Sequence, residues 1–596
     1  MSKNQLRSSQ VVTTFGPGAM VDLPDASVII GGLDHWNYDR SQLPTVEEPR
    51  LVSKLRTLLG VETLTLRTPP PANNQDYGFH PDVVAWRFPE WFIVQNPQVT
   101  PNKFRRRRLV HLNSLEGMKF RDEDRKKYAV VPVRFVRACR RGHVGDIDWK
   151  SFVHGASAGC PRNLWIEERG TSGDMDEIWV VCECKAERAM SQAVRTELHA
   201  LGSCNGSRPW LGAGTRESCG ESNRLLIRSA SNAYFGQLMS VISIPDARRP
   251  VDDAVRALWE DFLVDVDGPE DLPRIRRKPT VAAGLQGFSD EEVLAAIGRM
   301  RSGDVATERS VKEVEFEALA EAREELGSDV PDGYFFARSL PRETWAAPWM
   351  DSVERVVLVH RLREVIAQVG FTRFEAAGPD IQGELALDVQ RAPLAIDPSW
   401  LPAVENRGEG IFLLFNAKAV NDWTKKPDVS SRGIHLLEGY KLWKDEKGIS
   451  RDFPELPYYL LHSLSHLLLT IISLDCGYPA SSLRERVYVG RDRYGILIYT
   501  GSSDAEGTLG GLVQAGREIR RYMLLALERG KLCSNDPICA QHAPVSLDQQ
   551  PLLGSACHGC LLVAETSCEQ SNSYLDRSLV IQTIEGLGAE FFGVSV

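Results

Sequence analysis

The stretch GSACHGCLLVAETSCE, residues 554–569, gathers three cysteines near the end of the sequence. Cys557 and Cys560 form a C-x2-C pair within it. Upstream, Cys533 and Cys539 form a C-x5-C pair, and seventeen residues separate the two pairs. Because a tight turn can direct two thiolates at one point, two such pairs are typical of a tetrahedral zinc site.

The number of cysteines in this region favours a metal. Five fall within 36 residues, and in a reducing cytosol clustered cysteines are more often metal ligands than disulfides. We therefore predict zinc as the cofactor, with Cys568 as a fifth candidate and His542 and His558 nearby. The alternative is five free thiols in a small core. The predicted ligands are Cys533, Cys539, Cys557 and Cys560.

A second group of cysteines lies in the segment 128–245. Cys182 and Cys184 end the strand-like run DEIWVVCECK, and they share one strand face because side chains repeat every two residues. Together with Cys204 and Cys219 they are predicted to form a second four-thiolate zinc site. Three further residues either join this site or form a separate one, namely Cys139, His143 and Cys160.

Both predicted zinc sites are structural. A catalytic zinc keeps an open coordination position and usually has histidine or carboxylate ligands, and the sequence contains no H-E-x-x-H. The expected role of each metal is to fix loops that bury too little apolar surface to fold alone.

The chain is long enough for several domains. Its 596 residues predict three to five at roughly 100–200 residues each. We predict a multidomain α/β protein with zinc-ribbon-like insertions. The segments are an N-terminal mixed domain at 1–127, a β-rich cysteine-containing domain at 128–245, a helical insertion at 246–345 and a C-terminal α/β domain with the four-cysteine zinc site at 346–596.

Hydrophobic patterns predict the elements of the C-terminal part. WMDSVERVVLVHRLREVIAQVG is predicted as a helix that ends at Gly370, GIFLLF (410–415) as a buried strand, and RVYVGRDRYGILIYT (486–500) as two strands around a turn. YYLLHSLSHLLLTIISL (458–474) is short for a membrane span and carries histidines and serines, so it is predicted as a buried helix.

The start of the sequence has no apolar run of the length that a signal peptide needs. We therefore expect a cytoplasmic protein that does not span a membrane.

Common catalytic motifs are missing. There is no G-x-x-x-x-G-K-[ST], so ATP hydrolysis through a P-loop is not expected. GASAG (155–159) matches G-x-S-x-G, but Pro161 blocks the helix that a nucleophile elbow requires. We predict that the chain is not an enzyme and has no catalytic residues.

Two features leave alternatives open. His462 and His466 lie on one helix face and can bind a metal, but no third ligand is near in sequence, which favours hydrogen-bonded core residues. The glycine-rich turn at 501–512 either receives a phosphate of a nucleic acid or nucleotide at a helix start, or closes an α/β unit.

A local basic zone contrasts with the net charge of −10. Residues 103–150 contain 15 Lys and Arg against 6 Asp and Glu, with aromatic residues between them. This composition is typical of a nucleic-acid contact surface. The alternative is an arginine-rich face paired with acidic residues. The predicted DNA contacts are Arg105, Arg106, Arg107, Arg108, Lys126 and Lys127.

Several long stretches resemble one family. LRSSQVVTTFGPGAMVDLPDASVIIGGLDHW at the start, CRRGHVGDIDWKSFVHG in the middle, and LHSLSHLLL and LCSNDPIC near the end are similar to the DrmB family of the DISARM anti-phage defence system. The C-terminal domain also resembles the one that ends MrfA-type DNA repair helicases, in which four cysteines bind zinc. The resemblance is weakest over the helical insertion.

The resemblance implies a function. It implies a non-catalytic subunit that pairs with a DrmA-like helicase ATPase and engages DNA with it, so that the helicase motifs belong to the partner. The resemblance to the MrfA-type domain implies that its zinc-binding cysteine pairs correspond to Cys533 with Cys539 and Cys557 with Cys560. Two alternatives remain: a metal-dependent nuclease or other enzyme that uses His462, His466 and the turn at 504–511, or a scaffold that binds only proteins.

Overall fold

The fold was analysed in a computed structural model of the chain. It describes residues 6–24, 26–38, 43–70, 82–155, 159–245, 249–266, 268–301, 309–330, 333–376, 378–385, 389–447, 451–501, 510–544 and 550–593.

The chain forms two compact units. The first unit comprises Met1–Met239, Ile366–Gly378 and Ala386–Val404, and the second comprises Ser240–Val365, Pro379–Leu385 and Glu405–Val596. Both contain helices and sheets, which confirms the predicted multidomain chain of mixed helices and sheets. The predicted division into four segments is a finer one and stays a prediction.

The largest sheet of the first unit is antiparallel. Its side chains enclose a core around Trp149 and Phe152. In spatial order its strands are Leu115–Glu116, Lys119–Arg121, Lys127–Pro132, Trp91–Val94, Arg105–His111, Leu164–Glu168, Ile178–Cys182 and Glu187–Ala189, with Gln98–Val99 paired to Arg105–His111.

Smaller elements complete the first unit. One three-stranded sheet consists of Met20–Leu23, Ala26–Ile30 and Ala85–Arg87, and another consists of Val144–Gly145, Phe135–Ala138 and Arg224–Ile227. Short strands are Trp36–Asn37, Thr45–Val46, Thr65–Arg67 and Asp82–Val83. The α-helices are Ser8–Thr13, Pro49–Leu59, Trp149–His154 and Ser191–Val194.

A second large sheet lies mainly in the second unit. Its strands are, in spatial order, Glu325–Gly327, Phe335–Ser339, Val353–Thr372, Trp400–Phe415, Arg493–Thr500 and Leu483–Gly490, and Phe235–Ile242 pairs with Val353–Thr372. The strand at 410–415 and the two strands around the turn at 490–493 confirm the sequence predictions.

One apolar helix, Glu455–Cys476, forms the centre of the second unit, and we call it the core helix. Its side chains from Pro457 to Leu469 are buried, and it ends at Gly477, whose φ of 71° is the left-handed cap that glycine favours. It is long and apolar enough to span a membrane, but 67% of its most apolar 18 residues are buried inside the protein. The predicted buried helix is confirmed.

The core helix packs among other helices and the strands Leu483–Gly490 and Arg493–Thr500. The neighbouring helices are Ala417–Thr424, Pro427–Lys447, Gly511–Arg517, Ile519–Lys531 and Ile538–Gln541.

The described residues of the segment predicted as a helical insertion form six α-helices, with bounds Arg249–Ala257, Leu272–Ile275, Pro279–Gly284, Asp290–Arg301, Val311–Glu321 and Arg342–Trp345. Ser289 and Glu292 form the predicted capping box: the Ser289 N–H donates to the Glu292 carboxylate over 2.7 Å, and the Glu292 N–H donates to the Ser289 hydroxyl over 3.2 Å.

The helix predicted at 349–370 is wrong, because this segment is the strand Val353–Thr372. Two of its charged residues are buried and paired: Arg363 with Glu405, and Glu364 with Arg484 over 3.1 Å. Both faces of the strand are covered along most of its length. Its β-branched valines therefore follow strand propensity.

Candidate metal centres

Cys533, Cys539, Cys557 and Cys560 form the four-cysteine cluster. Their sulfurs lie within 4.8 Å of one another, with Sγ–Sγ distances of 3.4 Å for Cys533–Cys557 and 3.8 Å for both Cys539–Cys560 and Cys557–Cys560. A Zn–S bond of ~2.3 Å in a tetrahedron separates sulfurs by about 3.8 Å. The four thiols therefore fit a zinc ion.

Turns on each side of the cluster direct N–H groups at the sulfurs. The Asn535 N–H donates to Cys533 Sγ over 3.4 Å, and the Gly559 N–H donates to Cys557 Sγ over 3.3 Å. Donors of this kind stabilise thiolates and orient them as ligands. The C-x2-C pair is thus shaped by its own backbone.

Arg577 fixes the segment that carries the first cysteine. Its fully buried guanidinium donates to the carbonyl oxygens of Gly530 and Lys531 over 2.9 and 3.1 Å at the end of a helix, and it pairs with Asp536. A cation at this position satisfies helix carbonyls that have no partner within the helix. Arg577 therefore holds the turn 533–536 against the helix.

The thiols differ in acidity. The hydrogen bond from the Cys539 thiol lowers the pKa of Cys560 to about 5, and Arg577 acts in the same direction. Burial raises the pKa of Cys533 to about 11. Cys560 is therefore the thiol of this pair that ionises more readily, and thiolates are the form that binds metal.

The predicted second site divides into two. Cys204 and Cys219 lie with Cys139 and His143, which we call the Cys139 cluster, whereas Cys182 and Cys184 lie elsewhere. The Cys139 cluster has distances of 3.3 Å from Cys139 Sγ to His143 Nδ1, 3.5 Å from Cys204 Sγ to the same nitrogen and 4.0 Å from Cys139 Sγ to Cys219 Sγ.

A carboxylate orients the histidine of the Cys139 cluster. His143 Nε2 lies 2.7 Å from Glu217 Oε1, so Nδ1 is directed at the sulfurs. Such a second partner is typical of metal-binding histidines. The donors are three sulfurs and one nitrogen, a set that suits structural zinc.

Cys182 and Cys184 belong to the His154 cluster, which also contains His154 and Cys160. Cys160 Sγ lies 3.8 Å from Cys182 Sγ, and His154 Nε2 lies 3.3 Å from Cys184 Sγ. His154 ends the helix Trp149–His154, which packs on the strand that carries Cys182. Sequence reasoning missed His154, although it lies six residues before Cys160.

The predicted grouping failed because ligands come from distant segments. The Cys204 N–H donates to the Glu221 carbonyl (2.9 Å), close to Cys219, and the Val144 N–H donates to the Ser207 carbonyl (3.2 Å), which joins this segment to the turn from Cys139 to His143. Sequence separation between the cysteines does not encode this loop pairing. The C-x3-H spacing of Cys139 and His143 was the available signal.

His462 and His466 lie fully buried beside Glu485 and Cys568, and we call these four residues the core cluster. The favoured interpretation of the histidines as buried core residues at a helix–sheet junction agrees with their position. Glu485, nineteen residues after His466, was missed as a partner.

Most of the predicted DNA-binding arginines have partners within the protein. Arg107 Nη2 lies 2.6 Å from Glu168 Oε1, Arg108 Nη2 donates to Asn163 Oδ1 over 2.6 Å, and the Arg106 guanidinium lies 4.6 Å from the Trp165 ring centroid. Lys126 and Lys127 are exposed, with Lys126 against the Tyr128 ring and Lys127 3.8 Å from Glu116.

Arg105 differs from the three arginines that follow it. It is exposed, and it lines a cleft of about 580 Å³ together with Lys103, Phe104 and Arg134. Among the described contacts, no ion pair or side-chain hydrogen bond engages Lys103, Arg105 or Arg134. Glu168, Arg169 and Glu177 also line the cleft, but each has an ion pair or hydrogen bond within the protein. The cleft therefore presents an aromatic ring and three cations that no described ion pair engages.

Two sequence features lie outside the described residues in whole or in part. These are the middle of GASAG, residues 156–158, and most of the glycine-rich turn, residues 502–509.

Comparison with known proteins gives three matches. Residues 7–235 match the model of a domain of unknown function (DUF8724), and residues 464–561 match the MrfA Zn-binding domain, which includes the whole four-cysteine cluster. The DISARM protein DrmB of Bacillus paralicheniformis is 33% identical over 529 residues, which cover 86% of this chain and 91% of that protein.

Proposed function

The chain belongs to the DrmB family of the DISARM defence system, and we propose that it is a non-catalytic, zinc-stabilised subunit that binds DNA together with a helicase-like ATPase of the same system. The observation that carries this proposal is the four-cysteine cluster inside the matched MrfA Zn-binding domain. Zinc-binding domains of this kind are structural.

In this proposal the metals shape the surface and do no chemistry. Each of the three cysteine-rich clusters offers four protein donors, so a tetrahedral zinc there would keep no position for water or substrate. When bound, zinc supplies a rigid crosslink between loops. The protein's own residues, such as Arg577 and Glu217, hold the ligands in place.

The first unit supplies the proposed DNA contacts through the cleft of Lys103, Arg105 and Arg134. Phosphate groups are bound by such unpaired cations, and Phe104 can stack on a base. Arg106, Arg107 and Arg108 support the sheet from within. Replacing all four arginines would therefore confound DNA binding with folding.

The DNA proposal is tested by charge reversal in the cleft. We expect Lys103→Glu/Arg105→Glu/Arg134→Glu to weaken DNA binding by the assembled complex by at least about tenfold and to reduce its salt dependence, because three phosphate contacts are lost. Arg195→Glu, at an exposed position of the same unit, is the matched control. Gel shifts at several salt concentrations that give equal affinities for both variants would contradict the proposal.

Assembly and the absence of catalysis are tested together. We expect the chain to co-purify with the helicase-like ATPase of its operon, and ATP hydrolysis to follow the partner alone. DNA cleavage by the isolated chain with a divalent metal, abolished by His466→Ala, would support the enzyme alternative instead.

A further inference from the structure

The core cluster combines three segments that are far apart in sequence. His462 and His466 come from the core helix, Glu485 from the strand Leu483–Gly490, and Cys568 follows the short turn Glu565–Ser567. The side chains of His462, His466 and Glu485 are fully buried, and Cys568 is 8% exposed. One donor atom from each residue lies within 4.8 Å of the others.

Hydrogen bonds determine which ring nitrogens face the centre of the core cluster. His462 Nδ1 lies 3.3 Å from the Tyr574 carbonyl oxygen, and His466 Nδ1 lies 2.9 Å from the Leu561 carbonyl oxygen. A carbonyl oxygen can only accept, so Nδ1 carries the proton in both rings. In a neutral imidazole the other nitrogen, Nε2, then carries a lone pair and can only accept a hydrogen bond or bind a metal.

Both Nε2 atoms point at the Glu485 carboxylate, which is an acceptor when ionised. His462 Nε2 and His466 Nε2 lie 2.8 and 3.2 Å from the same oxygen, Glu485 Oε1, and His462 Nε2 lies 3.2 Å from Cys568 Sγ. If one ring were protonated at Nε2, it would donate to Glu485 Oε1, but the Nε2 lone pair of the other ring would still face that oxygen. Protonating both rings would bury two cations beside one carboxylate, which is costly.

A divalent cation removes this conflict. Two neutral imidazoles, one carboxylate and one thiolate around a doubly charged ion give a net charge of zero. The lone pairs of both Nε2 atoms, Glu485 Oε1 and Cys568 Sγ would then face the ion and no longer one another.

The surroundings of the anionic donors are arranged for such a charge. The Ser465 hydroxyl shares its proton between Glu485 Oε2 and the His462 carbonyl oxygen (2.7 Å), and Glu485 Oε1 is directed inward. The backbone N–H groups of Gln570 and Asn572 donate to Cys568 Sγ over 3.4 and 3.2 Å. Partners of this kind orient metal ligands and stabilise a thiolate.

We propose that the core cluster is a separate zinc site with His462, His466, Glu485 and Cys568 as its four ligands. Mixed nitrogen, oxygen and sulfur donors suit zinc, and four protein ligands without access to solvent make the site structural. It joins the core helix to a loop 106 residues later. The matched zinc-binding domain, residues 464–561, includes neither His462 nor Cys568, and the proposal depends on neither DNA nor a partner.

Metal content of the purified full-length chain tests the proposal. We expect Cys568→Ala and His466→Gln each to lose one equivalent of zinc relative to the unmodified chain. Cys476→Ser is the control, because Cys476 lies on the same helix but in none of the four clusters. Unchanged zinc content in Cys568→Ala would overturn the site. Cys557→Ser should lose the zinc of the four-cysteine cluster, and the double variant Cys557→Ser/Cys568→Ala should lose two equivalents. A missing metal at the four-cysteine cluster is thereby distinguished from a missing metal at the core cluster.

A second measurement uses the unmodified protein in case the variants do not fold. Crystals measured on both sides of the zinc absorption edge should show an anomalous peak between Glu485 and Cys568. A map with peaks at other clusters and none at this position would overturn the proposal.

Discussion

At the scale of single residues, Asp576 links the helix Pro427–Lys447 to the loops around the four-cysteine cluster. Its carboxylate lies 2.7 Å from Arg432 Nε and accepts from the Ser555 and Ser578 N–H groups over 3.1 and 3.0 Å. Burial alone would raise the pKa of Asp576, but the Arg432 guanidinium and these hydrogen bonds hold it below its usual range. The charge pair is thus part of the architecture that positions Cys557.

We expect Asp576→Asn to lower the stability of the second unit by about 3–5 kcal/mol at neutral pH, because it leaves Arg432 buried without a counter-ion. A carboxyl whose pKa is depressed by folding contributes stability that is complete above its unfolded pKa of about 3.9 and is lost as the pH falls through the lower folded value. Urea unfolding at several pH values measures the difference between the two proteins.

The difference in unfolding free energy between the unmodified chain and Asp576→Asn should be constant near neutral pH and should become smaller only below about pH 4. A difference that already shrinks between pH 7 and pH 5 would contradict the assignment of the charge pair. Asp428→Asn, on the same helix, is a control that leaves Arg432 paired.

At the scale of elements, the helix Pro427–Lys447 contacts the loop between the two cysteine pairs through a glycine. A Cβ atom at Gly439 would overlap Pro544 and the carbonyl oxygen of Pro551. The close approach of helix and loop therefore requires a residue without a side chain.

We expect Gly439→Ala to destabilise the second unit by about 1–3 kcal/mol, as overpacking does in a dense interior, and to increase proteolysis of the loop between Cys539 and Cys557. Gly298→Ala is the matched control, at an exposed position of the helix Asp290–Arg301 where a Cβ meets nothing within 4 Å. That change should be neutral or stabilising by up to about 1 kcal/mol. Thermal unfolding and limited proteolysis of the two variants test this expectation. Equal stabilities of Gly439→Ala and Gly298→Ala would contradict the close contact of Gly439 with Pro544 and Pro551.

Sequence predicted the elements whose information is local. The C-x2-C pair, the capping box at Ser289 and the core helix each depend on residues a few positions apart, and the structure contains all three. The strand Val353–Thr372 was mistaken for a helix because the partners that make its charges tolerable, Glu405 and Arg484, are far along the chain. The clusters around His143 and His154 were not separable from sequence for the same reason.

At the scale of the whole molecule, the described residues of each unit contain two clusters of side chains that could hold a metal ion. The first unit has the Cys139 and His154 clusters, and the second has the four-cysteine and core clusters. Histidine takes part in three of the four. Fixing loops in both units by metal is one way for a chain with long irregular connections to keep a defined surface.

The division of the upstream cysteines gives a prediction for the metal content of the whole protein. Cys184 is exposed and Cys219 is half-buried, so serine at either position should leave the apolar core intact. Because the two cysteines lie in different clusters, we expect Cys184→Ser and Cys219→Ser each to lose one equivalent of zinc and the double variant to lose two. A single shared site would lose one equivalent in all three proteins. Elemental analysis of the variants beside Cys476→Ser therefore distinguishes two sites of mixed cysteine and histidine ligands from one four-thiolate site.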